Sequence, residues 1–315
     1  MKSRCWINLL FILAIGLSGC SSSFASRVLA PSKVEVIDSV DDLPPSLLDT
    51  TIPWNGSMLT LDGSVVALPD DASGFIRIAN NHQWITYQSA PLVAKNGQIP
   101  HVQDYYIVMY DLLTQNKRYL VKMHSSFPSA IAIEAPSFSP DDHYVIFWVG
   151  WEDDEDLSVV DIQTGEIRRL NVNITLTNFG MPDIASDGSI VAICQGATQG
   201  LISELCLLDS QGKFIRYLTT ENYSWPGYGR FTPDGQYVVY ESRFRLYIVK
   251  RDGTERHQIA PCSALFGPLA VTDNYAITAC YISQDPDCYA LFAARLDGND
   301  FRRIGYIPPY CTTER

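Results

Sequence analysis

Five histidines, a run of five acids and eight cysteines are the side chains of this 315-residue sequence with the most chemistry to offer. His82, His101, His124, His143 and His257 form no His-Glu-x-x-His pair, the spacing that would put two imidazoles on one face of a helix around zinc. His82 and His143 fall in or beside tight-turn sequences and His257 on a polar stretch, so they read as solvated side chains and no catalytic residue is assigned. The run Glu152-Asp153-Asp154-Glu155-Asp156 has oxygens suited to calcium. Its spacing does not follow the EF-hand pattern and it has no glycine at its turn, so it reads as a solvated acidic loop. No Gly-x-Ser-x-Gly elbow, Gly-x-Gly-x-x-Gly or Walker loop occurs. The cysteines lack Cys-x-x-Cys spacing, which favours disulfides over zinc. No cofactor and no metal are expected.

Composition places these groups. Hydrophobic residues make up 46% and charged residues 18%, a globular balance. The formal charge of −12 argues against nucleic acid as a partner. The cysteine count fits an oxidising compartment. Lys2 and Arg4 precede an apolar stretch from Trp6 to Gly16, shorter than the about 20 residues that span a bilayer, so the segment reads as a signal peptide. Leu17-Ser18-Gly19-Cys20 then resembles the bacterial lipoprotein box, in which cleavage leaves Cys20 first and its sulfur takes a diacylglyceryl group. Residues 1–19 are thus expected to leave, with Lys2 and Arg4 and no acid, taking the formal charge to −14. Anionic lipid would repel such a body, so the acyl chains must hold it, at about 0.8 kcal/mol per buried CH₂. Residues 20–46, starting at Ser21-Ser22-Ser23 and including Pro31, Pro44 and Pro45, read as a tether. Ser21 is compatible with outer-membrane sorting in a two-membrane cell.

The remainder repeats. Ser137-Phe138-Ser139-Pro140-Asp141-Asp142, Asp183-Ile184-Ala185-Ser186-Asp187-Gly188 and Arg230-Phe231-Thr232-Pro233-Asp234-Gly235 align, each followed by an apolar run. Weaker copies surround Asn81 and Asp273. The anchors Asn81, Asp141, Asp187, Asp234 and Asp273 lie 60, 46, 47 and 39 residues apart, which suits one four-stranded propeller blade per repeat. Asp-Gly is a strong hairpin signal, and the apolar runs such as Tyr144 to Trp148 fit strands covered on both faces. A third strand, a Gly turn and a basic outer strand such as Glu166-Ile167-Arg168-Arg169-Leu170 complete each unit. Charge on an outermost strand blunts edge-to-edge pairing.

This pattern resembles the TolB-like propeller repeat over residues 75–305. The resemblance implies a periplasmic, all-β propeller. It says little about function, since such blades serve many roles. The best-known member of that family joins an envelope complex with a peptidoglycan-associated lipoprotein. This chain departs from the family in lacking room for a separate N-terminal α/β domain and in carrying its own lipid signal. Six four-stranded blades are expected over 47–315, with five or seven as alternatives; the sixth would combine residues 57–68 with the tail from Tyr306 to Arg315.

Cys5 leaves with the signal and Cys20 is lipidated, so six cysteines remain. In the blade frame Cys194 and Cys206 face each other across a hairpin, as do Cys280 and Cys288. Cys262 and Cys311 are left to pair and to tie the tail to the ring. Second-to-third connections and blade-to-blade links share one face and are long, including 88–104, 150–156, 195–203, 220–229 and 262–267. Binding groups concentrate on such loops, and Trp151, Tyr223, Trp225 and Tyr228 lie there, suited to partner contacts or sugar stacking. The sequence thus reads as a lipid-anchored envelope module that binds a protein, peptide or glycan. The alternative is a carbohydrate-active or other enzyme using the central funnel, which a buried acid pair or histidine cluster facing the channel would support.

Overall fold

The computed structural model describes residues 51–54, 57–60, 65–66, 68–79, 81, 83–89, 103–125, 132–151, 154–177, 181–196, 203–219, 226–262, 267–281 and 289–307. Cys20 and the tether lie outside the described residues, as do Cys288 and Cys311. Every regular element described is a β-strand. Strands β1 (Thr51–Trp54), β2 (Ser57–Thr60) and β3 (Val65–Val66) make a three-stranded meander. Five four-stranded antiparallel blades follow. Blade I is β4 (Ala72–Ile78), β5 (Trp84–Ser89), β6 (Gln103–Asp111) and β7 (Lys117–Ser125). Blade II is β8 (Ala132–Phe138), β9 (Tyr144–Trp151), β10 (Asp154–Asp161) and β11 (Ile167–Arg169). Blade III is β12 (Asp183–Ile184), β13 (Ile190–Gln195), β14 (Ser203–Leu208) and β15 (Phe214–Tyr217). Blade IV is β16 (Pro226–Phe231), β17 (Tyr237–Ser242), β18 (Arg245–Lys250) and β19 (His257–Ala260). Blade V is β20 (Ala270–Val271), β21 (Tyr275–Tyr281), β22 (Tyr289–Arg295) and β23 (Phe301–Ile307).

The apolar runs become strands covered on both faces. Alternate residues of β9 point opposite ways: Val145, Phe147 and Val149 pack with Ile107 and Met109 of blade I, and Ile146 and Trp148 with Ile190 and Ala192 of blade III. The core is therefore a series of layers between blades. The turns that join first and second strands keep their predicted chemistry. Gly188 and Gly235 take φ of 81° and 67°, and in blade II Asp142 holds the same left-handed position at 56°, a conformation that Asp tolerates better than most residues. The basic outer strands also tie blades together. Arg168 Nη1 donates to the Ser210 carbonyl at 2.6 Å and Arg216 Nη1 to the Asp252 carbonyl at 2.7 Å. His257 Nε2 lies 2.9 Å from the Leu296 carbonyl, which gives that solvated histidine a structural place.

Three expectations change. There are five four-stranded blades among the described residues, the stated alternative to the six favoured. Residues 51–66 pair among themselves, Ile52 with Leu59 and Leu59 with Val65, and Ile307 prolongs β23 opposite Tyr289. The acidic run is not simply a loop. The β9–β10 ladder extends to Trp151 opposite Asp154, so Asp154 to Asp156 are strand residues, and Asp156 forms an ion pair with Arg169. The cysteines pair differently too. Cys194 joins Cys206 as expected, but Cys262 joins Cys280. The β21–β22 register puts Ala290, not Cys288, opposite Cys280, while the segment after β19 brings Cys262 within bonding reach (Cα–Cα 5.6 Å).

Candidate functional site

The first strands of the blades meet along the propeller axis: β8 lies against β4 and β12, and β12 against β16. Each carries one distinctive residue four positions before its turn anchor: Arg77, Ser137, Asp183 and Arg230. The fifth copy has Leu269 at that position. The fold gathers these positions around a cavity of about 60 Å³, whose lining includes Arg77, Ser137, Asp183, Arg230, Phe138 and Phe231. Pro140 and Pro233, half-buried in the short turns, stand at its edge.

Asp183 organises this cluster. Its Oδ1 accepts from Ser137 Oγ at 2.6 Å and its Oδ2 from the Phe231 amide at 2.9 Å. Burial pushes its carboxyl above the ordinary range, against the pull of Arg230, Ser137, the Phe231 amide and Arg77. Arg77 is only 5% exposed. Burial and then the like charge of Arg230 push its guanidinium well below the ordinary value, and Asp183 acts the other way. Arg77 Nη2 donates to Met181 Sδ at 2.7 Å, and Arg230 Nη1 to the Leu269 carbonyl at 2.6 Å.

A second feature lies at the opposite ends of the strands, where second-to-third connections emerge. Strands β17 and β18 are joined by Arg243 and Phe244 alone, with φ of 53° and 59°. Such a primed turn suits Asn-Gly, and a bulky residue in this conformation costs about 1–2 kcal/mol. Phe244 is nevertheless 57% exposed. Beneath the turn, Glu241 is buried. Its Oε2 accepts the Gly267 amide at 3.1 Å, and the Phe244 amide also bonds it. Burial dominates and pushes its carboxyl up to about 7.

Of the aromatic residues expected on this face, Trp151 closes β9, but its side chain, like Tyr223 and Trp225, lies outside the described residues. Tyr228 is half-buried on β16, packed against the core between blades II and III. The phenol also acts on the charge of Arg77. No group of three or more His, Cys, Asp or Glu fit for a metal occurs among the described residues. The arginine–aspartate cluster and the Glu241–Phe244 turn were not found from the sequence. The first had a signal, a charged residue recurring at one repeat position of an otherwise apolar strand.

The structure of TolB from Acinetobacter baumannii aligns over 88% of this chain and 63% of its own length, with a TM-score of 0.58 and 16% identity. The chain carries a TolB-like β-propeller. An oligogalacturonate lyase in complex with manganese aligns over 78% of this chain and 69% of its own, with a TM-score of 0.50 and 13% identity. A nidogen/laminin complex aligns over 82% and 93%, with a TM-score of 0.56 and 11% identity. The chain thus spans 63% of the length of the TolB structure. At these identities the likeness shows the propeller fold alone. No family model and no curated protein matches the sequence.

Proposed function

We propose that this TolB-like propeller belongs to a lipid-anchored lipoprotein of the cell envelope, and that its second-to-third-connection face binds a protein, peptide or glycan. The observation that carries the binding role is the Arg243-Phe244 turn. A phenylalanine held exposed in a costly conformation is retained for a contact. The Lys2-to-Cys20 pattern supports anchoring through an acylated Cys20, and the likeness to TolB supports an envelope setting. Trp151, Tyr223, Trp225 and Tyr228 are proposed to widen the same face. The enzyme reading needs an acid pair or histidine cluster at the channel, where the described residues present two arginines and one aspartate.

The test is capture from envelope extract by the full-length chain, with photo-crosslinking from the exposed position 245 beside the turn in parent and variants alike. Phe244→Ala and the triple Trp151→Ala, Tyr223→Ala, Trp225→Ala serve as comparisons. A partner crosslinked by the parent and lost by both variants is expected. Equal recovery by all three proteins would move the site off this face.

A further inference from the structure

The axis of the propeller holds more positive charge than its neighbours neutralise. Among the described residues, Asp183 is the one carboxylate that acts on either Arg77 or Arg230. Two guanidinium groups, charged at any ordinary pH, and one carboxylate leave a net charge of +1 in a buried place. Such an excess is costly unless a further anion joins it. The hydrogen bonding shows the same deficit. Arg77 Nε and Arg230 Nε are buried and find no hydrogen-bond partner among the described residues. Among the described residues, the Arg77 side chain donates to a thioether sulfur, that of Met181, which is a weak acceptor. Asp183 is already committed on both oxygens, to Ser137 and to the Phe231 amide.

The unmet groups are specific in shape. A guanidinium edge presents two parallel N–H donors that match the two oxygens of a carboxylate. The cavity of about 60 Å³ has room for roughly four water positions, enough for a carboxylate and a few carbons. Ile78, Phe138, Phe231 and Val271 supply apolar lining for those carbons. A monoanion brings the cluster to neutrality, whereas a dianion would reverse its charge within a chain that is already at −12. We propose that the axial cavity is a binding site for a small monocarboxylate with a short apolar tail, held by Arg77 and Arg230 against Asp183. This inference stands on the propeller alone and does not depend on the lipid anchor or on the Arg243-Phe244 face.

The experiment is thermal unfolding and calorimetric titration of the full-length chain with sodium butyrate, exchanged against sodium chloride at constant ionic strength. Butyramide is the neutral control and inorganic phosphate the tetrahedral one. Butyrate is expected to raise Tm in proportion to the logarithm of its concentration above Kd, and butyramide and phosphate to leave it unchanged. Arg77→Met should abolish the response while the protein without ligand is at least as stable as the parent, since an uncompensated buried cation has gone. Arg77→Lys keeps the charge but loses the two-donor edge. It should weaken butyrate at least tenfold, and it carries the test if Arg77→Met does not fold. Absence of any butyrate response in the parent would overturn the proposal. So would an equal response to butyramide, a larger response to phosphate, or a parental response in Arg77→Met or Arg77→Lys.

Discussion

Glu241 makes the stability of this propeller depend on pH in a direction opposite to that of an ordinary surface carboxylate. Its carboxyl is buried under the Arg243-Phe244 turn and pushed up to about 7 from an ordinary 4.5. Between those two values the folded chain holds a proton that the unfolded chain lacks, so stability falls as pH rises. At 1.36 kcal/mol per unit, full ionisation at pH 8 costs about 3 kcal/mol relative to pH 4. Glu241→Gln keeps an acceptor for the Gly267 amide and removes the titration. Tm of the two proteins should be compared from pH 4 to 8.5, because their difference cancels every other carboxylate. The variant should gain on the parent progressively between pH 4.5 and 7, reaching about 6–12 °C at pH 8, from 2–4 °C per kcal/mol for a domain of this size. A difference that stays flat with pH, or grows towards acid, would refute the burial argument.

Replacing Arg243-Phe244 by Asn-Gly should stabilise the protein by about 1–2 kcal/mol in urea unfolding, because both residues relax into a turn they favour; partner capture should fall at the same time. Asp183→Leu removes the carboxylate that faces both axial arginines and leaves Ser137 Oγ and the Phe231 amide without it. A loss of about 3–5 kcal/mol is expected by the same assay, as for other buried charges stripped of a partner. Peptide mapping without reduction should recover Cys262 linked to Cys280 and Cys194 linked to Cys206; a Cys280–Cys288 peptide would contradict the structure.

The propeller was legible because its repeat repeats the physics. Asp187-Gly188 and Asp234-Gly235 specify turns, and apolar runs without alternation specify strands with a blade on either side. The blade count was less so, because whether residues 51–66 join the tail or fold back on themselves depends on register between distant segments, and Leu59 finds Val65 nearby. The Cys262–Cys280 bond eluded the hairpin argument for a related reason. It links the end of one blade to the second strand of the next, and local spacing says nothing of that approach. The axial cluster was written in the alignment at Arg77, Ser137, Asp183 and Arg230, but only the meeting of first strands turns four separated polar residues into one site. Phe244 carries no sequence signal, since nothing in Arg-Phe announces a left-handed turn.

Under the proposed function, an acylated Cys20 holds the propeller at a membrane. The direct measurement is the intact mass of the chain recovered in the detergent phase of envelope preparations. A species beginning at Cys20 with diacylglyceryl and acyl mass, and transfer of Cys20→Ala to the aqueous phase, is the predicted result. A parent chain found in the aqueous phase with an unmodified Cys20, or with that residue removed, would contradict it.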